Sequence, residues 1–127
     1  MTLREIESPN APEAIGPYSQ AILADGWLYC SGQIALDPTS GDLLEGGVAE
    51  QTEQVLANLA AVLEEAGATL SYVVKTTVYL SDMGIFTSMN QVYGEHFDAH
   101  PPARATVEVS ALPRGVAVEI DAVAFLG

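Results

Sequence analysis

The chain has 127 residues, 49% of them hydrophobic and 17% charged, with a single cysteine, which describes one globular domain and excludes a disulfide-stapled scaffold. Four basic side chains stand against seventeen acidic ones for a formal net charge of -13, a poor surface for nucleic acid, whose binding depends on basic groups that displace counterions from phosphate. No apolar run reaches the roughly 20 residues of a membrane helix, and no basic segment precedes an apolar one, so the expectation is a cytoplasmic protein that engages neither membrane nor nucleic acid.

A short strand is expected at Leu3 to Ile6, followed by a hairpin over residues 19 to 24 and 27 to 34. Its turn is Asp25-Gly26, a dipeptide suited to the positive φ angles of a tight β-turn. The Pro-, Gly-, Ser- and Asp-rich segment ALDPTSGDLLEGG reads as an exposed loop. From Val48 to Ala66 the period changes: Thr52, Val55, Leu56, Leu59, Val62, Leu63 and Ala66 trace one face, with Glu50, Glu53, Asn58, Glu64 and Glu65 on the other. This spacing predicts an amphipathic helix stopped by Gly67.

Residues 72 to 80, YVVKTTVYL, form a β-branched and aromatic run that predicts a largely buried strand. Ser81 or Asp82 then caps a second helix, whose stripe of Ile85, Met89, Val92, Tyr93 and Phe97 runs until Pro101 and Pro102 stop it. Two last strands, 104 to 110 and 116 to 125, are expected to pair as a hairpin through ALPRG. The order β-β-α-β-α-β-β implies an α+β two-layer sandwich with both helices on one face of a mixed sheet. Because VVKTTVYL and VAVEIDAVAFL are apolar on both parities, the other face is expected to be covered by another subunit. A homo-oligomer with candidate sites in the clefts between subunits follows.

Alternation places Arg104, Thr106 and Glu108 on one side of their strand, and Ala117, Glu119 and Asp121 on one side of the next. Matching apolar to apolar across the expected hairpin would set Arg104 and Glu119 on the same sheet face, with Thr106 between them. That arrangement reads in two ways. It is either a cross-strand ion pair, or a guanidinium fork for a substrate carboxylate beside a carboxylate that exchanges protons with water. Tyr18, after the Gly16-Pro17 turn, and Ser31, before Gly32, supply uncharged hydrogen-bonding groups, and Gly32 lets a backbone amide approach a ligand; Asn90 adds an amide. Each reads equally as an ordinary turn, strand-end or surface residue. His96 and His100 lack a third metal ligand, nucleophile and phosphate-loop motifs are absent, and Cys30 reads as a small buried hydrophobe. No metal and no cofactor is called for.

Taken together, NAPEAIGPYSQAI, SGQIALDPTSGDL, VVKTTVYLSDM, MNQVYGEHF, PPARATVEV and LPRGVAVEIDAVA resemble, in order and spacing, the Rid family of RidA (YjgF) type enamine/imine deaminases. The resemblance covers almost the whole chain and implies a single Rid-like domain over residues 1 to 127, a chorismate-mutase-like fold, and homotrimers with sites between subunits. It further implies hydrolysis of 2-aminoacrylate and 2-aminocrotonate to 2-oxo acids and ammonia, with Arg104 binding the carboxylate and Glu119 handling water and protons. Tyr18, Ser31, Gly32, Asn90 and Thr106 match pocket positions; at Thr106 many members carry cysteine, and the contact there is expected to be largely main-chain. The competing readings are a non-catalytic binding protein for 2-oxo acids or related carboxylates, and a chaperone-like or nuclease-like protein, the latter disfavoured by the acidic surface.

Overall fold

The computed structural model describes residues 3–127. Six strands form one sheet: β1 (Leu3–Ile6), β2 (Ala21–Ala24), β3 (Trp27–Gln33), β4 (Val73–Leu80), β5 (Ala103–Glu108) and β6 (Val118–Phe125). The spatial order is β1-β2-β3-β6-β4-β5, antiparallel throughout except that β4 and β5 run parallel. Helices α1 (Val48–Glu65) and α2 (Phe86–His96) form the second layer. This is the expected α+β architecture with a mixed sheet. No helix among the described residues is long and apolar enough to cross a membrane.

Local chemistry explains the elements. Asp25 and Gly26 both take positive φ, 49° and 84°, which makes the β2–β3 connection a tight hairpin turn of matching twist. Helix α1 begins where the Glu50 carboxylate accepts the Gly47 N–H, and Gly67 leaves it at φ 87°. The Asp82 side chain accepts the Gly84 N–H at the start of a 3-10 turn, Met83–Ile85, that leads into α2.

The core lies between the layers. Val55, Leu56, Leu59, Val62 and Leu63 of α1 and Met89 of α2 bury completely against Leu28, Val78, Leu80, Val118 and Ile120 of the sheet. Truncating any of these leucines to alanine would cost about 2–5 kcal/mol. Asn58, expected among the solvated residues, is buried instead: its amide donates to the carbonyls of Ile34 and Leu36. The Ile34 carbonyl also accepts the Leu36 N–H, so the helical amide matters most at the Leu36 carbonyl, where the chain has left β3.

The expected hairpin of the last two strands does not form. β4 lies between them, pairing Thr76 with Arg104 on one side and Tyr79 with Glu119 on the other. Thr76 is fully buried toward the helices, and Arg104 shares that side. Glu119 alternates with buried Val118 and Ile120 and points to the opposite face. Apolar matching failed because the apolar side of β5, Ala105 and Val107, looks away from the helices, where the sheet is itself apolar. Trp27, Tyr29, Val107 and Phe125 are all exposed there, with the Trp27 and Phe125 rings 4.5 Å apart.

Candidate active site

The candidate residues gather into two groups on opposite faces of the sheet. The first is built on β5 and α2. Phe86, Asn90 and Tyr93 recur at intervals of four and three residues, one stripe of α2. Arg104 lies across it. Its guanidinium carbon is 4.7 Å from the Tyr93 ring centre and 5.5 Å from that of Phe86, and one Nη1–H donates to the Asn90 Oδ1 at 2.7 Å. No carboxylate of the described residues comes within ion-pair distance of it; the one basic side chain that meets a carboxylate is His96, at 2.7 Å from Glu53. A guanidinium carries five N–H donors, so a half-buried cation is left with most of them unused beside a depression of about 500 Å³ that Asn90, Tyr93 and Arg104 help to line.

Thr106, two residues on and on the same side, contributes less than its position suggests. Its hydroxyl oxygen is sealed from solvent and has no hydrogen-bond partner, so only its main chain remains for a ligand.

The second group surrounds a cavity of about 550 Å³ whose walls include Tyr18, Ser31, Gly32 and Glu119, with Ile34 and Leu36 as apolar wall. Ser31 and Gly32 sit where the β3–β6 register shifts between Cys30 and Gln33. The Ser31 hydroxyl donates to the Ser19 carbonyl at 2.6 Å, which tethers the Tyr18 turn to the strand. Gly32 leaves room for Glu119: a Cβ there would push the Glu119 carboxylate out of its place. Half-burial first, and the neighbouring Asp121 carboxylate second, hold the Glu119 carboxyl above the usual glutamate range. Asp121 in turn accepts a hydrogen bond from the Tyr79 hydroxyl at 3.0 Å. A carboxyl of raised proton affinity in a partly apolar cavity is equipped to exchange protons with a bound water.

A further cavity of about 580 Å³ shares Tyr18 but is lined by Glu5, Glu7 and Glu13; three carboxylates and no cation suit it poorly to an anionic substrate. Cys30 lies in the interior, where burial and then the Asp121 charge push its thiol up to about 12, so it is not a nucleophile at neutral pH.

Sequence parity joined Arg104 to Glu119, whereas the structure sets Arg104 with Asn90 on the helix side and Tyr18, Ser31, Gly32 and Glu119 on the other. Phe86 and Tyr93 were read only as core or not at all, although their spacing with Asn90 was available. Asp121 and Tyr79 could not be paired before the sheet order was known.

A six-stranded mixed sheet backed by two helices, carrying an arginine on one side and a glutamate of raised proton affinity on the other, defines a two-layer α+β protein of the chorismate-mutase-like type. A sequence model of the family described as Endoribonuclease L-PSP matches residues 8–126. The human 2-iminobutanoate/2-iminopropanoate deaminase is 50% identical over 124 residues, covering 98% of this chain and 90% of the human protein. Among solved structures, a Rid-family protein of Yersinia pestis matches with a TM-score of 0.95 at 49% identity, covering 98% of this chain and 99% of that one. TdcF of E. coli, solved with bound serine, matches with a TM-score of 0.92 at 35% identity and covers 98% and 99%. The chain belongs to the Rid (YjgF) family, as the motifs from GPYSQA to VEIDAVA imply.

Proposed function

We propose that the protein is a cytoplasmic hydrolytic deaminase. It converts 2-aminoacrylate and 2-aminocrotonate, through their imine tautomers, to 2-oxo acids and ammonia, with sites completed between the copies of a homotrimer. The observation that carries this reading is Arg104: a half-buried cation, stacked and oriented, with one donor used by Asn90 and no ion pair to a carboxylate among the described residues. In a molecule of net charge -13 such a group stays unpaired only if something anionic visits it. A small carboxylate fits the fork.

Arg104 holds the substrate carboxylate. After the enamine CH2 group gains a proton, the imine carbon is attacked by water; a C–O bond forms and the C=N electron pair moves to nitrogen, which takes a proton. The carbinolamine then loses ammonia as its O–H proton leaves and the C=O bond forms. Glu119, its proton affinity raised by burial and by Asp121 and set beside Gly32, positions that water and relays those protons. No covalent intermediate is needed, because imines hydrolyse unaided and the site has only to orient and polarise them. Since the two groups lie on opposite faces of one sheet, the Glu119 cavity of one copy would receive Arg104 from the next. The exposed apolar face of Trp27, Tyr29, Val107 and Phe125 supports such packing. The human relative's deaminase name and the serine in TdcF, a 2-substituted carboxylate, support the same reading.

The test is a coupled assay in which a dehydratase generates 2-aminoacrylate from serine and pyruvate release is followed. Wild type is expected to accelerate release, and Arg104→Ala to lose the effect at low substrate. Glu119→Gln is expected to keep affinity for 2-oxobutyrate and lose turnover, and retained turnover would remove Glu119 from the proton relay; no acceleration by the folded wild type would leave a binding protein for 2-oxo acids as the better description.

A further inference from the structure

We propose that Tyr93 is a positioning residue for Arg104, holding the guanidinium plane ready for an anion, with the Thr76 hydroxyl fixing the Tyr93 ring in turn. This rests on the reading of Arg104 as the carboxylate clamp and extends it to residues to which the family resemblance assigns no role.

Arg104 stands on β5, the last strand of the sheet, with a strand neighbour on one side only. A long side chain at such an edge samples many rotamers, and freezing it when a ligand arrives weakens binding. Here it is already held. The guanidinium carbon lies 4.7 Å from the Tyr93 ring centre, inside the roughly 6 Å reach of a cation–π contact. Stacking engages the face of a guanidinium and leaves its N–H groups free in the plane, where a carboxylate is gripped. Asn90 takes one in-plane donor at 2.7 Å, which fixes rotation within that plane.

The ring itself is pinned. Tyr93 is 5% exposed and Thr76 0%, and their hydroxyls are 2.6 Å apart, one donating to the other away from water, where a hydrogen bond is costly to break. Thr76 is also the residue paired with Arg104 in the β4–β5 register. Strand pairing and the hydroxyl contact therefore set the height of the ring against the arginine, and among the described residues Thr76 is the one hydrogen-bond partner of that phenol. A phenylalanine would stack as well but would lose this anchor and orphan the threonine. The positioning chain runs from β4 through α2 to β5.

The experiment titrates 2-oxobutyrate calorimetrically into the folded oligomer, its size checked by sedimentation, for wild type, Tyr93→Leu, Tyr93→Phe, Arg104→Ala and the Tyr93→Leu/Arg104→Ala double variant. Tyr93→Leu is expected to weaken binding about 3- to 30-fold, Tyr93→Phe to restore most of it, and Tyr93→Leu to add nothing in the Arg104→Ala background. In turnover, the Tyr93→Leu loss is expected in KM rather than kcat. Binding by Tyr93→Leu at wild-type strength while Arg104→Ala binds weakly would overturn the proposal, as would fully additive losses. Arg104→Ala binding as tightly as wild type would overturn the carboxylate clamp and the inference with it. Should Tyr93→Leu fail to fold, Thr76→Val carries the test: it keeps both rings, and affinity equal to wild type would exclude the anchor.

Discussion

At the scale of single residues, Glu119 links the proposed chemistry to stability. Its carboxyl binds a proton more tightly in the fold than in the unfolded chain, through burial and then Asp121. The stabilisation this provides is complete below the ordinary value near 4.5 and is lost as pH rises through the raised one. At neutral pH the ionised carboxylate therefore burdens the fold. Glu119→Gln is expected to melt above wild type at pH 7, the gap closing toward pH 4, while turnover falls by about 10² to 10⁴. An Arg104 from a second copy would offset part of the burden, so the melting comparison belongs on dilute, monomeric protein; an unchanged or lower melting point there would deny the strain. Thr106 offers a simpler case. Its sealed, unpartnered hydroxyl costs about 1 kcal/mol or more, and Thr106→Val is expected to stabilise by about that amount in urea unfolding.

At the scale of elements, α1 was legible because its apolar residues repeat at helical spacing and Gly67 ends it, and the β2–β3 turn because Asp25-Gly26 tolerates positive φ. Asn58 escaped because its partners, the Ile34 and Leu36 carbonyls, are 24 and 22 residues away, and a polar residue beside an apolar stripe looks solvated until the packing is known. Its role predicts a clear effect: Asn58→Leu leaves the Leu36 carbonyl unpaired, while that of Ile34 keeps the Leu36 N–H, and is expected to cost about 1–3 kcal/mol, with Asn58→Asp no better because it loses the donors. The order of β6, β4 and β5 was equally hidden. Alternation reports which residues share a side of a strand, not which strand lies beside it, so Arg104 and Glu119 were each placed within their strands and wrongly joined across them. The stripe of Phe86, Asn90 and Tyr93 acquired meaning only once β5 had been laid against it.

At the scale of the whole molecule, two global properties oppose each other. The uncovered apolar face favours association, whereas a formal net charge of -13 per chain resists it. Salt should therefore strengthen the assembly: the screening length falls from about 10 Å at 0.1 M to about 3 Å at 1 M, and sedimentation is expected to show tighter oligomers across that range. Tyr29→Glu, in the middle of the apolar face, is expected to give a folded monomer without deaminase activity; an active monomer would refute sites shared between copies. The placement of β6 has one more consequence. The last strand in chain order lies in the interior of the sheet, between β3 and β4, so a nascent chain emerging from the ribosome holds two unjoined halves, β1 to β3 and β4 with β5, until residue 125 is free. The hydrophobic residues of both halves must wait for it, which marks this protein as a late and comparatively slow folder during its own synthesis.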